Sequence, residues 1–284
     1  MTFASIASGF KNARRYLPLA YSPLDWFSLA LLGIVRARRL SFFARHLLPE
    51  LVIRPAPLGG LRLALNPLDL IHMGTFDEIV IDNAYDLLLV PFIPDQIFDC
   101  GGHIGMFSLL ARGRYPMAHL IIFEPNPNNM EWIRRQVQLN GLNIEAVQAA
   151  VSVREGEALF QDRVSSTGHL VEPTSSVPEY QDWKSEVLGE PGGRYAVRVI
   201  DLAAMLSQRQ PVRLLLKLDV EGEEIHIIPT LFDVFPQETA VFFETHHGQA
   251  GWDWASQQFR EHGFVVERRR SIHDYFIDGF ALRH

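Results

Sequence analysis

An apolar run that ends in an acidic residue and a glycine-rich turn constrains the fold of this chain most strongly. Residues 97–105, with the sequence IFDCGGHIG, carry this pattern. A parallel strand passes into a helix in this way, and the glycines leave room for a ligand beside the turn. The segment therefore predicts a ligand-binding turn at the carboxyl end of a strand.

The spacing of the glycines separates two classes of nucleotide cofactor. A dinucleotide site uses G-x-G-x-x-G with a helix N-terminus directed at a pyrophosphate. Residues 99–105 have D-x-G-G-x-x-G instead. The carboxylate of Asp99 repels a phosphate and attracts an ammonium. S-adenosylmethionine carries an ammonium and a sulfonium but no phosphate, so the motif favours this cofactor over a nicotinamide dinucleotide.

A second acidic residue follows one strand later. Glu124 lies at the end of the apolar run 119–123 and precedes Pro125. A carboxylate at this position accepts hydrogen bonds from ribose hydroxyls, in nicotinamide enzymes as well. Glu124 therefore indicates a ribose-binding site without distinguishing the two cofactors. Asn126 either caps the helix that follows or contacts the adenosine.

Composition and charge exclude several classes of function. The 284 residues carry a net charge of −7. Because nucleic-acid-binding proteins usually present a basic face, this charge argues against a nucleic-acid substrate. The single cysteine, Cys100, excludes an internal disulfide and a cysteine-rich metal site, which favours a reducing, cytoplasmic location. We identify no secretion signal, and the apolar stretch at 26–35 is shorter than the about 18 residues that cross a bilayer.

The first 75 residues are predicted to form a helical and hairpin extension to a cofactor-binding domain over 76–284. Residues 24–47 have a helical apolar pattern with arginines near the end, typical of a packed helix. A lid, a dimer contact and a membrane-surface helix stay open as alternatives. Two apolar runs at 51–53 and 61–65 predict the hairpin, and residues 66–90 predict helical turns.

From residue 96 onward, strands and helices alternate, which predicts an α/β fold with a mostly parallel sheet. The predicted strands are 96–100, 119–124, 145–151, 195–200, 212–218 and 240–243. The predicted helices are 104–114, 127–140 and 201–208. Residues 163–193 are predicted to form a long loop. Residues 264–267 and 275–282 predict an antiparallel pair that closes one edge of the sheet.

Two clusters of charged residues follow the later strands. Lys217, Asp219 and Glu221 share one face by strand alternation, and Glu244 and His246 share one face after the next strand. Buried charges are costly unless they are paired or used. A structural ion pair of Lys217 is one interpretation. A base, a substrate clamp or a magnesium site that includes Asp219 and Glu244 are the others.

Five blocks in this order, DCGGHIG, FEPNP, LNGLN, KLDVEGEE and FETH, resemble the FkbM family of S-adenosylmethionine-dependent methyltransferases over about residues 95–250. The resemblance implies a class I methyltransferase (Rossmann-like) fold with an antiparallel final strand. It also implies methylation of a hydroxyl on a secondary metabolite, glycoside or glycan. Family members usually have D-x-G-A-N-x-G, so Gly102 and His103 depart from the pattern. We expect His103 to change contacts to the methionine part of the cofactor.

Roles follow for each site residue. We expect His246 to be the general base, with Glu244 as its orienter or as an alternative base. Asp219 and Glu221 are expected to hold substrate hydroxyls, with their geometry maintained by Lys217. The predicted cofactor-binding residues are Asp99, Gly101, Gly102, His103, Gly105, Glu124, Asn126, Ala150 and Val151.

The expected partner is a small-molecule or glycan hydroxyl acceptor, without nucleic acid and without a transmembrane segment. Peripheral membrane contact by the N-terminal helices and a dimer stay open. A nicotinamide-dependent oxidoreductase and a non-catalytic S-adenosylmethionine-binding module are the alternative functions.

Overall fold

The computed structural model describes residues 16–22, 50–163, 168–170, 191–272 and 276–284, together with 25, 27 and 29. Apart from residues 25, 27 and 29, the helix predicted over 24–47 lies outside the described residues, and so do the parts of the predicted loop at 164–167 and 171–190. The chain divides into two compact units. The first comprises Met1–Asn83, Ile104–Pro116 and Glu131–Asn143, and the second comprises the remainder. The domain boundary predicted at residue 75 stays a prediction.

The described residues contain six α-helices and thirteen strands. The helices are α1 (Leu70–Phe76), α2 (Met106–Arg114), α3 (Pro127–Asn140), α4 (Leu202–Arg209), α5 (Glu224–Leu231) and α6 (Gly248–Glu261). The strands are β1 (Leu51–Ile53), β2 (Leu63–Leu65), β3 (Gln96–Cys100), β4 (His119–Phe123), β5 (Glu145–Val147), β6 (Ala150–Ser152), β7 (Gly156–Arg163), β8 (Gly168–Leu170), β9 (Pro191–Asp201), β10 (Arg213–Leu218), β11 (Glu238–Thr245), β12 (Val265–Ile272) and β13 (Phe276–Arg283).

The first unit contains the predicted hairpin, which is confirmed as the antiparallel pair β1 and β2. The buried amide of Gln136 on α3 donates to the carbonyl oxygen of Ala64 and accepts from its N–H, at 2.6 and 2.9 Å. This reciprocal pair ties the hairpin to the second half of α3. The helical turns predicted over 66–90 are confirmed by α1, whose first turn is capped by the side chain of Asp69.

The second unit contains a seven-stranded sheet with the order β12-β13-β11-β10-β3-β4-β5. The pairs from β11 to β5 are parallel, and β13 pairs antiparallel with both β11 and β12. The predicted α/β fold with a mostly parallel sheet and an antiparallel edge pair is therefore confirmed. Five of the six β10 residues are buried, as expected of a central strand.

The strand predicted over 145–151 is wrong as a single element. β5 pairs with β4 as far as Val147, and the N–H of Ala149 then donates to the carbonyl oxygen of Val147. β6 continues in a different, four-stranded sheet with the order β6-β9-β7-β8. An apolar run shows that residues are buried but not which strand they pair with, so the change of sheet could not be seen.

The predicted loop over 163–193 also needs correction at its described ends. β8 lies inside it and pairs with β7, and β9 begins at Pro191 rather than at residue 195. The second sheet is thus inserted between β5 and β10 of the main sheet in chain order. Among the described residues, no helix combines the length and the apolar character needed to cross a membrane.

Candidate active site

The glycine turn after β3 is closed onto the end of β4. The N–H groups of Gly101 and Gly102 both donate to the carbonyl oxygen of Phe123, at 3.0 and 2.9 Å. Gly101 has φ +81°, and a Cβ added there would lie 1.9 Å from the carbonyl oxygen of Asp219. Only glycine fits where the two chain segments approach so closely. Gly105 belongs to the first unit and begins α2 with φ +84°.

The carboxylate of Glu124 accepts hydrogen bonds from the glycine turn and from the residues that follow β4. Its Oε2 accepts from the N–H of His103 at 2.7 Å, and its Oε1 accepts from the N–H of Asn126 at 2.8 Å. The side chain of Asn129 donates to the same Oε1 at 3.4 Å. Burial raises the pKa of Glu124 to about 7 despite these donors, so its charge changes near neutral pH.

The second sheet approaches this carboxylate through two residues that the sequence analysis did not identify. Asn126 donates from Nδ2 to Oδ1 of Asp162 on β7 at 3.0 Å. Burial, together with the charges of Asp162 and Glu124, raises the pKa of Tyr195 on β9. No motif marks these positions, because β7 and β9 meet Glu124 only through the tertiary fold.

The remaining predicted cofactor residues have different surroundings. Asn126 accepts from the N–H of Asn128 through Oδ1, which is the helix-capping contact. Ala150 and Val151 are buried in β6 of the second sheet, and Val151 packs in the main core. A ligand near these two residues therefore meets their backbone.

A buried ammonium joins the first motif to the second. The Nζ of Lys217 lies 3.6 Å from Oδ1 of Asp99 and 3.2 Å from Oδ2 of Asp219, and it donates to the carbonyl oxygen of Gly101 at 2.7 Å. Lys217 and Asp99 are paired neighbours in the sheet register. Asp99 is fully buried, so the ammonium that it attracts in this structure is that of Lys217.

Neighbouring charges shift the pKa values of Lys217 and Asp219. Burial acts to lower the pKa of Lys217, but Asp219 and Asp99 raise it above its ordinary value. Burial acts to raise the pKa of Asp219, but Lys217, His246 and His103 hold it below its usual range. Lys217 is therefore an ammonium and Asp219 a carboxylate at neutral pH.

All five predicted catalytic residues lie close together. The Nε2 of His246 lies 3.0 Å from Oε1 of Glu244, 3.8 Å from Oδ1 of Asp219 and 3.8 Å from Oε2 of Glu221. Its Nδ1 lies 3.0 Å from Oε1 of Glu224. Burial acts to lower the pKa of His246, but Glu224 and Glu244 raise it well above its usual value. The imidazolium is therefore the stable form at neutral pH.

Glu224 is the acid that the sequence analysis missed. It is the first residue of α5, and its side chain is only 1% exposed. Glu224 lies in the block KLDVEGEE. An acidic residue at the start of a mostly apolar helix is the sequence signal that could have identified it. Strand alternation could not place it near His246, because the turn between β10 and α5 decides where it lies.

Three of these residues could be considered as metal ligands. Asp219, Glu224 and His246 each offer one ligand atom, and the three atoms lie within 4.8 Å of one another. Mg²⁺ prefers oxygen ligands in near-octahedral geometry. This set contains an imidazole, and both carboxylate oxygens of Glu224 already accept backbone hydrogen bonds. Asp219, Glu224 and His246 therefore do not fit a magnesium ion, and the magnesium site predicted from Asp219 and Glu244 stays a prediction.

A known protein family matches the part of the chain that contains these residues. The family described as "Methyltransferase FkbM domain" matches residues 99–273, more than half of the chain. The chain belongs to this family. The match contains the glycine turn, Glu124, Lys217 and the cluster around His246, and the topology of the second unit is that of a class I methyltransferase.

Curated relatives agree with this family. Methyltransferase 1 of Beauveria bassiana is 31% identical over 166 residues, which cover 55% of this chain and 66% of that protein, just under two thirds of its length. The 31-O-demethyl-FK506 methyltransferase FkbM of Streptomyces tacrolimicus is 25% identical over 67% of this chain and 81% of that protein. Among solved structures, a methyltransferase FkbM of Methylobacillus flagellatus covers 98% of this chain and 59% of that chain, with 12% identity and a TM-score of 0.45.

From the buried contacts of Lys217 we predict that Lys217→Met and Arg209→Met differ strongly in their free energy of unfolding. We expect Lys217→Met to lower the free energy of unfolding by about 3 to 5 kcal/mol, because it leaves Asp99 and Asp219 without their ammonium. Arg209→Met removes the partly exposed pair with Glu145 and should cost less than about 1 kcal/mol. Urea unfolding of both variants measures the difference, and equal losses would contradict the role given to Lys217.

Proposed function

We propose that this methyltransferase transfers a methyl group from S-adenosylmethionine to a hydroxyl oxygen of a small molecule, glycoside or glycan. One observation carries the proposal. A glycine turn closed around Glu124 adjoins a carboxylate and imidazole cluster, at the ends of adjacent parallel strands. The relative in Streptomyces tacrolimicus, whose name refers to an oxygen-linked methyl group, supports an oxygen acceptor.

In this proposal, Glu124 binds the cofactor through the ribose. Its two oxygens are oriented by the N–H groups of His103 and Asn126, and a carboxylate has further lone pairs for ribose hydroxyls. When bound, S-adenosylmethionine supplies a methyl group that its sulfonium has activated for displacement.

The residues around His246 prepare the acceptor. The acceptor oxygen forms a bond to the methyl carbon as the bond from carbon to sulfur breaks, so its proton must leave. Alignment of the reacting groups contributes about 7 to 11 kcal/mol in well-oriented systems. We assign that alignment to Asp219 and Glu221, and the proton to Nε2 of His246, with Glu244 as the alternative base.

Ligand binding tests the cofactor assignment first. We expect S-adenosylhomocysteine to bind in a calorimetric titration with micromolar affinity and NADH to give no heat of binding. Affinity should increase from pH 6 to pH 8, because the ionised form of Glu124 accepts from the ribose and its pKa is about 7. Glu124→Gln should bind more weakly and lose this pH dependence.

The outcomes separate the three candidate functions. Binding of NADH without S-adenosylhomocysteine would indicate an oxidoreductase. Binding of S-adenosylhomocysteine without methyl uptake by any hydroxylated glycoside, polyketide or glycan would favour a non-catalytic binding module. The class of the acceptor stays a prediction until such a screen identifies the substrate. A cytoplasmic location also stays a prediction.

The charge state of His246 predicts how turnover depends on pH. A base must first be unprotonated, and the carboxylates raise the pKa of His246 well above its usual value. We therefore expect kcat to increase as pH rises from 7 to 9, with the protonated form inactive. A pH profile under saturating cofactor measures this. A kcat that is constant across this range would argue against His246 as the base.

We infer that Asp219, Glu224 and His246 hold no magnesium ion during methyl transfer. Treatment with a chelator should leave the rate within about twofold of the untreated enzyme, since an ion that is absent from the transition state contributes nothing to its stabilisation. The rate is measured before and after dialysis against EDTA. Loss of activity that added Mg²⁺ restores would contradict the inference and would make Asp219 and Glu244 the first ligands to test.

A further inference from the structure

Glu224 uses both carboxylate oxygens to hold the turn that follows β10. Its Oε1 accepts from the N–H of Val220 at 2.8 Å, and its Oε2 accepts from the N–H of Gly222 at 2.9 Å. This turn contains two left-handed residues, Glu221 with φ +58° and Gly222 with φ +108°. A non-glycine residue in this region is strained, so the turn depends on contacts that hold it there. The carboxylate of Glu224 supplies two of them.

The same carboxylate contacts the imidazole from the side away from the other acids. Oε1 of Glu224 lies 3.0 Å from Nδ1 of His246, and both side chains are 1% exposed. The ring of Phe276 packs edge-on against the imidazole, with ring centroids 5.2 Å apart. The imidazole is therefore held on two sides, and Nε2 faces Glu244.

We propose that Glu224 is the positioning residue of His246, holding the proton on Nδ1 and directing Nε2 toward the carboxylates of Asp219, Glu221 and Glu244. Carboxylates face both ring nitrogens at 3.0 Å, but Glu224 is 1% exposed and Glu244 is 13% exposed. The ion-pair contact with the more deeply buried acid favours keeping the proton on Nδ1, so the proton that is exchanged is the one on Nε2. The consequence for turnover rests on the proposed function. The contact itself does not.

The neighbouring glutamate shows that position, rather than charge alone, sets this role. Glu223 precedes Glu224 and carries the same carboxylate, but it accepts from the hydroxyl of Ser152 at 2.9 Å and is only half-buried. Within the part of the chain that the structure describes, Glu223 makes no hydrogen bond or ion pair with His246. Glu223→Gln is therefore a matched control for Glu224→Gln, with the same change in charge and size one residue away.

Nitrogen NMR of the full chain tests the contact without any assumption about the reaction. Protein labelled with ¹⁵N-histidine is titrated, and the signal of His246 is the one that His246→Ala removes from the eleven histidines. We expect Glu224→Gln to lower the pKa of His246 and to change its Nδ1 shift, because a carboxylate that faces Nδ1 is lost. Glu223→Gln should leave both unchanged. An unchanged His246 signal in Glu224→Gln would overturn the proposal.

A double-mutant cycle tests the effect on turnover. Glu224→Gln should lower kcat at least about 10-fold where His246 is present, within the range that a general base contributes, and less than about 2-fold in the His246→Ala background. The affinity for S-adenosylhomocysteine should stay within about twofold, since an acid that acts through His246 does not contact the cofactor. Equal losses of kcat in both backgrounds would show a structural role only and would overturn the positioning role.

A shorter acid keeps the test decisive if Glu224→Gln does not fold. Glu224→Asp retains the charge but withdraws it by one methylene, so we expect smaller changes of kcat and of the Nδ1 shift in the same directions. Thermal unfolding identifies which variant to use. If no methyl transfer is found at all, the proposed function fails, while the NMR titration still decides whether Glu224 controls His246.

Discussion

The ammonium of Lys217 lies between two carboxylates at the ends of neighbouring strands, and the rest of the site depends on this contact. Asp99 closes β3, Asp219 follows β10, and both approach the same Nζ. The ammonium also donates to the carbonyl oxygen of Gly101. One buried ammonium therefore contacts two acids and holds the glycine turn. Such an arrangement is favourable only when all members are present, because a single buried carboxylate is strongly destabilising.

Around His246, acidic side chains outnumber basic ones. Four carboxylates, those of Asp219, Glu221, Glu224 and Glu244, surround the imidazole of His246. The charges of Glu224 and Glu244 raise the pKa of that imidazole well above its usual value, although burial acts to lower it. The site is therefore an environment that stabilises cationic groups.

The inserted second sheet changes what surrounds Glu124. Asp162 and Tyr195 come from β7 and β9, which follow the third parallel strand in the chain and precede β10. They reach the carboxylate through Asn126 and through electrostatic contact. The sequence motifs named His103 and Asn126 beside Glu124 in advance, whereas Asp162 and Tyr195 have no motif and could not be named from the sequence.

Local patterns in the sequence determined the parts that depend on neighbours along the chain. Strand and helix alternation predicted the parallel sheet, the glycine spacing predicted the turn at Gly101, and strand parity predicted that Lys217 and Asp219 share a face. Those inferences need only the geometry of one strand or one turn. The tertiary structure alone decided that the run 145–151 divides between two sheets, and that Glu224 contacts Nδ1 of His246. Partners that are distant in the chain are chosen by sheet pairing and by the path of the turn after β10, and no local pattern contains that information.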